Sequence, residues 1–158
     1  MLRLTLTACV WALTTMSAFA GTVQPREGWK VFDTTLTFTT LVEKLEVAVK
    51  SNKMAIVTTA SASEGAKAQG FSIAGNRVVG VYRNDFARRM LESSVAAGIE
   101  APIRFYVTEN VDGTATLSYK TPTAVFSPYF AEAGNLRALA RELDAIFETI
   151  AQQATGSN

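Results

Sequence analysis

The residues best suited to chemistry in this chain are Arg104, Tyr106, Ser118 and Lys120, with Thr108 and Thr116 beside them. A guanidinium and an ammonium held close together bind a carboxylate or phosphate through charge-assisted hydrogen bonds. A phenol and hydroxyls around them can orient the bound group. Like charges directly opposite each other on a sheet are unfavourable by some fraction of about 1 kcal/mol. An anion lying across Arg104 and Lys120 would remove that cost, whether a ligand carboxylate, a ligand phosphate or an acidic residue of a second subunit. The rival reading is an ordinary solvated sheet face, on which both long side chains extend into water.

A second cluster is aromatic. Phe126, Tyr129 and Phe130 sit on a long connection over residues 121–134. Aromatics gathered this way suit the core of a subunit interface, or a lid that covers the hydrophobic core. Carboxylates offer less. Asp112 is explained by a turn and Glu109 by a strand end, so catalysis ranks below binding and self-association and the chain reads as a non-enzyme. The sequence has no histidine and one cysteine, Cys9. Without a His or Cys beyond the N-terminal segment, Ser-His and Cys-His nucleophile pairs are excluded, as is conventional zinc, copper or haem ligation. No cofactor is expected. Met54 and Met90 read as core filler rather than copper(I) ligands. Gly65 and Gly70 have phosphate-loop spacing, but Phe71 and Ser72 follow and the lysine that loop needs is missing.

The elements that must position the first cluster form a hairpin. Ile103, Phe105 and Val107 alternate with Arg104, Tyr106 and Thr108, and Ala115, Leu117 and Tyr119 alternate with Thr116, Ser118 and Lys120. That period of two marks half-buried strands. A four-residue loop would set Val107 opposite Thr116 and mix the faces. A three-residue loop, Val111 to Gly113, pairs Val107 with Leu117 and Phe105 with Tyr119, and puts Gly113 at the left-handed position. It also sets Arg104 opposite Lys120, on the face away from the core.

Around the hairpin the pattern predicts a strand over 29–35 and a helix from the N-cap Thr37 to about Lys50, ended by Asn52 in a left-handed conformation. A strand over 54–59, a loop over 60–76 with one helical turn, and a strand over 77–83 come next. A helix capped by Asn84 or Asp85 then carries Phe86, Met90, Leu91 and Val95 to a stop at Gly98. The last helix, capped by Asn135, runs to about Gln152 with Leu136, Leu139, Leu143, Ile146 and Ile150 as its apolar seam. The order predicts a two-layer α+β domain, a mostly antiparallel sheet of about five strands with helices on one face.

The chain of 158 residues carries 15 Lys plus Arg against 14 Asp plus Glu. Arg3, the apolar run from Leu4 to Leu13 and Ala18-Phe19-Ala20 predict a signal peptide over residues 1–20, cleaved after Ala20. An extended leader follows over 21–28, then one domain over 29–153 and a frayed tail over 154–158. Cleavage would remove Arg3 and Cys9 and leave a neutral, exported, periplasmic or secreted domain. Such a domain has no bulk attraction for nucleic acid, and with the signal gone it would not insert stably in a membrane.

The strand and helix with Phe38 and Leu45, Asn84 after a strand, Pro102-Ile103-Arg104, Asp112-Gly113, and Ser118-Tyr119 with Pro122 resemble the domain of unknown function 302 family in order and spacing. The resemblance spans roughly Trp29 to Tyr129. Members of that family often have Asn-Pro where this chain has Asn84-Asp85, and Gly near Asn52 and Lys53. It implies a compact α+β domain, often assembling in pairs, and no assigned activity. The expected function is a periplasmic module binding a small, anionic molecule through Arg104, Tyr106, Ser118 and Lys120. The alternative is a self-associating homodimer with Phe126, Tyr129 and Phe130 at its interface.

Overall fold

One tight hairpin sets the register of the sheet. In the computed structural model, which describes residues 23–157, strand β4 (Ile103–Glu109) returns as β5 (Ala115–Lys120). Phe105 faces Tyr119 and Val107 faces Leu117. The Asn110 amide donates to the Thr114 carbonyl at 2.8 Å, so the loop is Val111 to Gly113, and Gly113 takes φ +82. Asp112 Oδ1 accepts from the Thr114 amide and hydroxyl at 3.0 and 2.6 Å, the turn role expected of it. The predicted signal segment, its cleavage point and Cys9 lie outside the described residues.

Among the described residues five strands form one antiparallel sheet. β1 (Trp29–Asp33), β2 (Ala55–Ala60) and β3 (Asn76–Tyr82) join the hairpin in the order β1-β5-β4-β3-β2. This is the predicted α+β architecture. Phe105, Val107, Leu117, Tyr119, Val79 and Val81 point to one face and are buried there. Helices α1 (Phe38–Ser51), α3 (Asn84–Ser93), α4 (Pro122–Phe126) and α5 (Leu136–Thr155) supply the rest of the core. A small apolar cavity of about 40 Å³ among Val81, Ile103, Phe86, Met90, Phe126 and Phe147 marks where three of these helices meet the sheet.

Helix boundaries follow local hydrogen bonds. Thr37 Oγ1 accepts from the Thr40 amide at 3.3 Å and starts α1, and Leu41, Leu45, Ala48 and Val49 bury its inner face. The left-handed residue after α1 is Lys53 at φ 60, not Asn52. Asn52 instead turns its side-chain amide back to the Ala48 carbonyl at 2.8 Å. Neither Asn84 nor Asp85 caps α3, because both are already helical and the Asp85 carboxylate is held by Arg83 at 2.8 and 3.1 Å. That helix also stops at Ser93, before Gly98. Ser94 Oγ accepts from the Ala97 amide at 3.2 Å and opens a short 3₁₀ turn over Ala96–Glu100, which leaves Leu91 and Val95 exposed.

The 60–76 segment holds a short helix, α2 (Ala62–Ala68), capped by Ser61 Oγ. The 121–134 connection holds α4, with Pro122 in its first turn and Thr121 as its cap. Asp144 of α5 accepts from the Thr123 amide at 2.9 Å and from the Thr123 hydroxyl, fastening α4 to α5. Leu136, Leu139, Leu143 and Ile150 are buried as the seam requires. Phe147 rather than Ile146 completes it: Phe147 is fully buried and Ile146 only partly. The helix continues through Thr155, beyond Gln152, and Gly156 ends it at φ 74.

Candidate functional site

The face opposite the core helices is built from the alternate residues of the same strands. Register places Trp29 against Lys120, Tyr106 against Ser118 and Val78, and Ala60 against Val78. One further step along the β4–β5 ladder brings Arg104 opposite Lys120, while Gly80 lies on the other side of Arg104. A groove of about 630 Å³ crosses this face, lined by Trp29, Lys120, Arg104, Tyr106, Val78 and Ala60 among others. Ala62 at the start of α2 also lines it, which puts that helix at the groove's rim.

The sequence-predicted residues divide here. Arg104, Tyr106 and Lys120 come together in the groove. Ser118 lies on the same face but is fully buried, and its hydroxyl has no hydrogen-bond partner among the described residues. Thr116 is also fully buried, so this part of the face is not an open solvated surface. Its hydroxyl stands 2.8 Å from Asp33 Oδ1 on β1 and 3.0 Å from Asn110 Oδ1 at the hairpin turn.

The electrostatics of the groove are uneven. Arg104 and Lys120 stand against one lining carboxylate, Glu100. Glu100 Oε1 accepts from the Tyr129 hydroxyl at 2.9 Å, and that hydrogen bond raises the Tyr129 phenol above its ordinary pKa. Lys120 Nζ lies 5.7 Å from the centre of the Trp29 ring, and Arg26 lies 5.0 Å from the same ring, both within cation–π range. Behind the groove, burial and the Glu148 carboxylate push the Tyr119 phenol far up, so it stays protonated as a donor to Glu148 at 3.1 Å.

The aromatic cluster is not assembled as an exposed patch. Phe126 is 2 % exposed and fills the core, so it is unavailable as a surface contact. Tyr129 and Phe130 are half-buried against that core, the first tied to Glu100 and the second covered by Arg137 at 4.6 Å from its ring. Glu109 Oε2 accepts from the Gly75 amide at 2.7 Å, joining the end of β4 to the start of β3. The sequence reading missed Trp29, Val78 and Ala60 as groove residues. Trp29 carried a signal of its own, an aromatic opening a strand, but nothing local says that this strand lies beside Lys120.

Among the described residues no group of three or more His, Cys, Asp or Glu stands together to hold a metal ion, and no helix is long and apolar enough to cross a membrane. A family model described as "Domain of unknown function DUF302" matches residues 30–154. No curated protein matches the chain significantly. Among solved structures, the fold is similar to the crystal structure of an uncharacterized conserved DUF302 protein from Bacillus stearothermophilus, with TM-score 0.72 and 16 % identity over 82 % of this chain and 99 % of that one.

Proposed function

The chain belongs to the family of the domain of unknown function DUF302, and from that footing we propose that it is an exported binding module whose outer sheet face takes a small anionic molecule. One observation carries the reading. Arg104 and Lys120 line the same groove, adjacent by strand register, and among the described residues neither is in an ion pair that would neutralise it. Two cations held side by side by strand register, with an indole and a phenol next to them, form an anion-recognition surface. The reading assigns no catalytic step: Glu109 and Asp112, the carboxylates near the hairpin end, are both engaged in backbone hydrogen bonds. Export rests on the sequence of residues 1–20, and intact-mass measurement of the exported protein, expected to begin at Gly21, tests that part.

Lys120→Glu tests the binding. It creates an opposite-charge pair with Arg104, which leaves the fold as stable as before or slightly more so, yet it turns the groove against anions. Native mass spectrometry of parent and variant should show retained small molecule in the parent only. Equal retention in both would sink the reading.

Self-association as a homodimer is the second reading. Leu91, Val95 and Ile99 are 45, 80 and 81 % exposed on α3 and the turn after it, an apolar ridge that a second copy would cover. The same mass spectra report subunit number, and a monomer at micromolar concentration would dispose of it.

A further inference from the structure

Resting on that anion-binding reading, we infer that the groove selects a singly charged carboxylate with an extended apolar body, in preference to a phosphate or a short polar anion. Charge is the first argument. The groove's two cations face one carboxylate, Glu100, so the lining carries one net positive charge and one anionic group neutralises it. A dianion would leave its second charge without a cation and bring it toward Glu100.

Shape and polarity give the second argument. Lys120 and Arg104 stand at one row of the sheet, and the next row across the same face is Tyr106, Val78 and Ala60, running toward Ala62. The groove thus leads from a cationic end near Trp29 over β4 and β3 to an uncharged end at β2 and α2, where Ala60, Ala62 and Val78 stand beside Asn76. Its volume of about 630 Å³ falls within the usual span of small-molecule sites, roughly 300–1,000 Å³, and it far exceeds what a bare carboxylate or phosphate would fill. A hydrocarbon or aryl body lying over Tyr106 and Val78 removes that apolar surface from water as its head meets the cations.

The third argument is what the far end lacks. Phosphate sites present several free backbone amides. The Ala62 amide, which opens α2 at the groove's rim, already donates to Asn76 Oδ1 at 2.9 Å, and the Glu64 amide donates to Ser61 Oγ at 3.1 Å. That end therefore accepts apolar atoms rather than a second anionic group.

The experiment titrates the exported protein, in which Trp29 is the sole indole once residues 1–20 are removed, with octanoate, 1-octanol, acetate and inorganic phosphate. Trp29 fluorescence and calorimetry follow binding. Octanoate should saturate the protein and bind at least tenfold tighter than each of the other probes. Lys120→Gln and Arg104→Gln should each weaken octanoate about tenfold and leave 1-octanol unchanged. If phosphate or acetate matches octanoate, the apolar selection is wrong while anion binding stands. If 1-octanol matches octanoate, or if no probe binds, the anion reading falls together with this inference.

Discussion

Phe147 of α5 stacks on Phe105 of β4, with ring centroids 4.6 Å apart and planes 16° from parallel. Tyr119 meets both rings, at 5.2 Å from Phe105 and 5.5 Å from Phe147. This trio joins the last helix to the hairpin that sets the sheet's register. Phe147→Ala removes a fully buried ring and should cost about 3–5 kcal/mol, the range for large aromatic truncations in a packed core. Denaturant unfolding measures it, and a loss under about 1 kcal/mol would show that the site collapses to fill the space.

Thr116→Val tests the buried hydroxyl at that position. The substitution keeps shape and removes the single hydroxyl proton placed between Asp33 Oδ1 and Asn110 Oδ1. A lost hydrogen bond costs about 0.5–1.5 kcal/mol net, so the variant should unfold at correspondingly lower denaturant with an unchanged m-value. Parent-like stability would mean the hydroxyl contributes nothing net.

Gly80→Ala should be harmful although glycine is ordinarily a weak strand residue. A Cβ there meets Pro102 Cγ at 2.9 Å and the Thr58 hydroxyl closer still. Overpacking of this kind costs about 1–3 kcal/mol. Because Gly80 lies beside Arg104 on the groove face, octanoate titration of the variant would also show whether that shift reaches the site.

Arg89 and Glu142 form a two-point ion pair at 2.7 and 2.8 Å between α3 and α5. The guanidinium holds the Glu142 carboxyl below its ordinary pKa. A carboxyl depressed in the folded state stabilises the fold above its unfolded value of about 4.3 and loses that contribution as pH falls through the folded value. Arg89→Gln should therefore lower the melting temperature slightly near neutral pH, and the gap to the parent should close on acidification. Both side chains are half exposed, so salt should shrink the gap as well. A gap that widens in acid would contradict this assignment.

What the sequence disclosed was local. Alternation and one glycine settled the hairpin down to its register, because a strand's period and a turn's handedness act over a few residues. That register brought Arg104, Tyr106 and Lys120 onto one face. Trp29 was out of reach because β1 pairs with β5 from the opposite end of the chain, and no periodicity carries that information. The seam of α5 was legible except at one turn, where spacings of three and four point equally to Ile146 and Phe147. The ending of α3 escaped because Ser94 can cap the following turn as readily as continue the helix. The burial of Phe126 depended on α4 being fastened by Asp144, which lies on another element.

The register between β2 and β3 slips between Ile56 and Thr58. Among the described residues β2 is the last strand on its side of the sheet, and none of its six residues, Ala55 to Ala60, bears a charge. On the opposite edge, β1 has Lys30 and Asp33 to discourage an approaching strand. On β2 the bulge does that work by shape. A strand laid along it would find the donors and acceptors of Ala55 and Ile56 out of step with those of Thr58 to Ala60, and zippering would stop after a few bonds. Lateral growth of the sheet, the first step toward a fibril, is blocked on one side by charge and on the other by a single misplaced residue.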